Sequence, residues 1–83
     1  MEDTVTENKK KKAAEIRHMI EVARLAIPKE REAREHYLGA SRKAPGETSR
    51  LLFERLAHEE EQHELKLRAI IRHLQEELDG LGR

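Results

Sequence analysis

Apolar residues recur at steps of three and four along two stretches of this chain, with one breaker between them. In the first stretch Ile16, Ile20, Ala23, Ile27, Glu30, Arg34 and Tyr37 trace a single stripe, broadened by Met19, Ala26 and Ala33. That spacing is one face of an α-helix. In the second, Leu52, Leu56, Glu60, His63, Leu67, Ile70, Leu74 and Leu78 form the stripe, flanked by Phe53, Ala57 and Ile71. Between them Ala44, Pro45 and Gly46 interrupt any helix, and Glu47, Thr48 and Ser49 offer caps and early acidic charge to a new one. The pattern predicts a helix over about 13–43 and another over about 47–79, stopped by Gly80 and Gly82. Pro28 lies inside the first helix, and because the stripe stays in phase on both sides it is expected to kink rather than split it. Residues 1–12 are polar and Lys-rich and read as a mobile arm, residues 13–79 as an antiparallel helical hairpin, and residues 80–83 as a tail.

Both stripes carry charge where an apolar residue belongs: Glu30 and Arg34 on the first, Glu60 and His63 on the second. Burying a carboxylate without a partner costs several kcal/mol, so such groups are paired or bind metal. Glu30 lies 15 residues before Pro45 and Glu60 lies 15 after it. At 1.5 Å per residue each glutamate is roughly 22 Å from the turn, so the hairpin brings the two carboxylates level. His63 follows Glu60 by one turn on the same face. In four-helix di-iron carboxylate bundles two helices each contribute a Glu and the other two each contribute Glu-x-x-His. One copy of this chain supplies one of each, so two copies supply the set. Carboxylates suit a hard cation and bridge two ions, and imidazole binds ferrous iron, so iron is the expected metal.

Composition restricts the alternatives. Of 83 residues 41% are charged and 36% hydrophobic, with Tyr37 and Phe53 the only aromatics. A chain this short and polar buries little surface alone, which favours a hairpin that gains stability by pairing with further copies. Seventeen basic and 17 acidic residues cancel, so no general attraction to nucleic acid or anionic membrane is expected. The absence of cysteine excludes disulfides and thiolate-bound iron or zinc. No transmembrane or targeting segment is legible, and a cytoplasmic location is the expectation. His18, His36, His58 and His73 read as solvated or interfacial, and Glu32, Glu61 and Glu64 as a solvated charged face.

The run from Glu30 to Tyr37, followed by Phe53-Glu54-x-x-Ala57-x-x-Glu60-x-x-His63, resembles the first helix pair of rubrerythrins and other ferritin-like proteins. The likeness spans roughly residues 26–74. It implies that Glu30, Glu60 and His63 are di-iron ligands and that Tyr37 hydrogen-bonds a ligand carboxylate. It also implies an all-α hairpin that dimerises into a ferritin-like four-helix bundle. Rubrerythrins carry in addition a four-cysteine rubredoxin module, which has no counterpart in a cysteine-free sequence. The two-helix form most resembles the encapsulated ferritins, which build a ferroxidase centre between two chains, form ring-like homo-oligomers and oxidise Fe(II) inside an encapsulin shell. Some of them place an acidic residue just before the first ligand, where this chain has Lys29.

The resulting expectation is a ferroxidase: Glu30, Glu60 and His63 from each of two chains hold two irons and turn Fe(II) into Fe(III) for storage or detoxification. Two alternatives are a metal-binding protein without catalysis, loaded with zinc or manganese, and a structural hairpin whose polar stripe positions only set register and oligomeric state.

Overall fold

Residues 3–82 are described by a computed structural model. Two helices account for nearly all of them: α1, Asp3–Lys43, and α2, Glu47–Leu81. They run antiparallel along their length as one rod, with principal extents of 69 × 15 × 11 Å. The all-α hairpin is as the hydrophobic pattern predicts.

The start of α1 is not. Where a mobile arm was expected through Lys12, the helix already runs from Asp3, with residues 4–12 helical and exposed. Lys and Glu are good helix formers, nothing in this stretch breaks a helix, and Glu7 and Lys11 have the favourable i,i+4 order. Polarity marked this segment as unburied, which it is; it did not mark it as non-helical. Met1, Glu2 and Arg83, the outer parts of the expected arm and tail, lie outside the described residues.

Pro28 neither splits α1 nor ends it. The residue is exposed, so the Arg24 carbonyl it deprives of a partner faces solvent. At the turn, the Ala44 N–H donates to the Ser41 carbonyl at 3.2 Å, and Gly46 caps α2 in an extended conformation with no side-chain hydrogen bond. Thr48 and Ser49 therefore do not cap as expected; Ser49 Oγ donates to the Gly46 carbonyl at 3.1 Å. Arg42 and Lys43 end α1 and Glu47 begins α2, each on the favourable end of its helix dipole.

The seam is thin. Ile16, Ile20, Ala23 and Ile27 of α1 and Ala57 of α2 form the buried apolar core. Facing α1 on the second helix are Phe53, Ala57, Glu60, Glu64, Leu67, Ile71, Leu74 and Leu78, all buried or half-buried. This is a correction to the expected stripe. Leu52, His63 and Ile70 are exposed, turned aside from the seam by a fraction of a turn. On a helix advancing about 100° per residue, they share one side of the hairpin with Leu56 of α2 and with Met19, Ala26, Ala33 and Tyr37 of α1. A shallow groove of 210 Å³ between Ile16, Met19 and Leu74 lies on this side.

Candidate metal centre

Glu30 projects from α1 and Glu60 and His63 from α2, on the apolar side of the seam and at one level along the rod. Their donor atoms lie within 4.8 Å of one another. His63 Nδ1 is 3.2 Å from Glu30 Oε2 and 3.4 Å from Glu60 Oε2. Neighbouring ligand atoms on one ion, bound at about 2.1 Å, stand roughly 3 Å apart, so these spacings would accommodate a cation as well as a hydrogen bond. The three residues singled out by their spacing are brought together as anticipated.

The electrostatics agree with the geometry. The two carboxyls hydrogen-bond each other, which pushes the Glu60 carboxyl above its ordinary range and holds Glu30 below it. Partial burial and the Glu30 charge add to the rise at Glu60, which His63 opposes; at Glu30 burial opposes the lowering and His63 reinforces it. Two like charges this close favour a proton on Glu60 over ionisation of both. Side-chain exposures of 24% for Glu30 and 18% for Glu60 leave the cluster lightly covered. A divalent cation displacing that proton would be matched in charge by the two carboxylates, with the imidazole as a neutral third donor. The donor set thus fits a hard or borderline metal ion such as iron.

Tyr37 is placed two turns from Glu30 on the same helix. Its ring stacks on Phe53 across the seam (centroids 6.4 Å apart, planes at 28°) and meets His36 edge-on at 6.4 Å. Among the described residues no hydrogen bond joins its hydroxyl to Glu30. His58 and His73 pair only loosely with the exposed Glu61 and Glu76, at 3.9 and 3.8 Å, as solvated residues do.

Glu64 departs most from expectation. It is 8% exposed, not part of a solvated face. Arg31 grips it with two nitrogens: Nε donates to both carboxylate oxygens at 3.1 and 3.2 Å, and Nη2 to one of them at 3.0 Å. Arg68 Nε donates from the next turn of α2 at 3.0 Å, and Arg34 Nη1 approaches to 3.7 Å. The Arg31 bonds, with help from Arg68, hold the Glu64 carboxyl below the ordinary carboxylate range against the opposing effect of burial. Arg34, an unexplained charge on the α1 stripe, finds its reason here. A signal for this cluster was present in the sequence: Arg31 follows Glu30 and Glu64 follows His63, so a hairpin that joins the first residues of each pair joins the second residues on the adjoining side.

A family model described as Rubrerythrin matches residues 21–83, most of the chain and all of the site. No curated protein and no solved structure matches it.

Proposed function

The chain belongs to the rubrerythrin family, within the ferritin-like superfamily, and from that premise we propose that it is a ferroxidase that takes Fe(II) as substrate. The observation that carries this reading is the meeting of Glu30, Glu60 and His63, whose donor atoms lie within 4.8 Å of one another with, among the described residues, no arginine or lysine paired to either carboxyl.

In this reading Glu30, Glu60 and His63 of one chain face the same three residues of a second copy, so that two irons are held between the chains. A proton held at Glu60 would leave as the metal is bound, and the freed carboxylates would balance its charge. Iron held there would supply the redox chemistry, passing electrons to dioxygen or peroxide as Fe(II) becomes Fe(III). Anionic donors favour the ferric product. Tyr37, whose hydroxyl does not reach Glu30 of its own chain, takes the role of hydrogen-bond donor to a ligand carboxylate of the second copy.

Surface area supports the second copy. A compact monomer of this mass exposes roughly 5,100 Å², whereas this chain exposes 6560 Å². The excess exceeds the roughly 800 Å² per partner of a standard interface. Met19 and Leu52, 58% and 54% exposed, lie on the side that carries the donors. Closing that side against another copy would bury apolar surface and complete the ligand set together. Larger ring-like assemblies, a cytoplasmic location and carriage inside an encapsulin shell extend the same proposal.

The test is anaerobic addition of Fe(II) to metal-free protein, followed by air and measurement of ferric absorbance against equivalents added. Fast oxidation with a break near about one iron per chain, lost in His63→Ala, is expected. Oxidation no faster than in buffer removes catalysis and leaves a metal-binding or purely structural hairpin.

A further inference from the structure

The two charged clusters of the seam are built from neighbouring residues. Glu30 and His63 meet on one side at 3.2 Å, and Arg31 and Glu64, the next residue in each helix, meet on the other. A two-nitrogen guanidinium–carboxylate grip constrains direction as well as distance, unlike a single contact between flexible chains. Arg68 and Arg34 fix the carboxylate from two further directions. Elsewhere the seam is apolar, aliphatic apart from the Tyr37–Phe53 ring contact, and apolar contacts tolerate sliding and rotation of one helix past the other far better than directional bonds do.

We propose that Arg31 is a positioning residue for the metal centre: its grip on Glu64 sets the register and rotation of α1 against α2 that bring Glu30 to Glu60 and His63. The same grip keeps Glu64 out of the ligand set. Glu64 is one turn from Glu60 and adjacent to His63, and would otherwise compete for the cation. With Oε1 accepting from Arg31 and Oε2 accepting from Arg31 and Arg68, it has little acceptor capacity left. This inference rests on the metal-binding reading proposed above.

A change at Glu64 cannot test it cleanly, because loss of a negative charge near a cation site weakens binding through charge alone. Arg31 separates the two effects. Removing a positive charge should tighten cation binding if only the field matters, and loosen it if the residue positions the donors. The experiment is titration of metal-free protein with Co(II), read by its visible absorption, for wild type, Arg31→Gln and Arg31→Lys, with circular dichroism melting of each. The expected result is roughly tenfold or greater weakening in Arg31→Gln, the range seen when residues supporting metal ligands are lost, with an altered Co(II) spectrum and the helices retained. Arg31→Lys, which keeps the charge without the fork, should also bind more weakly; it serves as the deciding variant if Arg31→Gln does not fold. Co(II) binding equal to or tighter than wild type, with an unchanged spectrum, overturns the positioning role while leaving the metal centre intact. A wild type that binds no Co(II) fails the metal reading itself, and the inference falls with it.

Discussion

Glu60 and Glu64 are one helical turn apart on α2, both turned toward α1, and their surroundings are opposite. Glu64 meets three guanidiniums and is held in its charged form. Glu60 meets another carboxylate and is pushed toward its protonated form. A buried carboxylate matched by arginine is already satisfied and serves the fold. One facing a like charge has no basic partner to balance it, and in the proposed reading it is the one that takes the metal. Partner chemistry separates the two roles where burial, residue type and helix position do not.

The strongest way to break this comparison is to remove a carboxylate from each cluster. Glu60→Ala should reduce Fe(II) oxidation to its rate in buffer while circular dichroism remains helical. Glu64→Ala should do the reverse in emphasis, lowering the melting temperature because three guanidiniums lose the anion between them. Its loss should far exceed that of Glu47→Ala, whose pair with Arg50 is exposed.

Next in size is the contrast between the two sides of the rod. Leu52 and Ile70 lie beside the metal donors, while Leu65, 55% exposed, lies on the opposite side with Arg68. Leu52→Glu or Ile70→Glu should raise the dissociation constant for self-association by at least about tenfold, given roughly 1.5–3 kcal/mol for burying such a side chain. Leu65→Glu should leave that association intact. Sedimentation across a concentration series reads both.

In the core between the two sides, Ile20→Ala should cost about 2–5 kcal/mol of stability in urea unfolding. It lies well along the rod from the donors, so the Co(II) spectrum of the folded fraction should not change. A spectral change there would mean that the centre is not locally determined.

The smallest effects are in pH dependence, and they differ in sign. Glu64 and Glu30 are held below the ordinary carboxylate value of about 4.3. The unfolded chain therefore takes up protons first as pH falls, so their stabilisation is complete above that value and is lost as pH drops through their lowered ones. Glu60 is raised, so its contribution in the metal-free protein is present below about 4.3 and fades as pH rises through its folded value. In urea midpoints from pH 3 to 8, Glu64→Gln should flatten the acid limb and Glu60→Gln the upper one. Co(II) uptake should release protons, and less so in Glu60→Gln.

Much of this was legible in the chain. Spacing in steps of three and four, one breaker at Pro45 and Gly46, and equal arms to Glu30 and Glu60 predicted the hairpin and the level of the centre. His63 followed from its one-turn offset. Two features were misjudged for the same reason. The apolar band of α2 is wide enough to cover two adjacent faces, one with Leu52 and Ile70 and one with Phe53, Ala57 and Ile71. Periodicity reports the band but not which edge meets α1. With the first edge placed inward, Glu64 was left on the outside; with the helix rotated as it is, Glu64 enters the seam. Residues 4–12 differ: their polarity reports exposure, which is a separate property from helicity, and helix-forming Lys and Glu keep the exposed segment helical.

The sequence by itself determined the element types, the antiparallel hairpin and the residues able to meet at one level, because those follow from local backbone preference and from distances counted along a helix of constant rise. Only the tertiary structure decided the rotation of α2 about its axis. That angle is a property of two packed surfaces together, and it alone assigns arginines to Glu64 and leaves Glu60 facing Glu30 and His63.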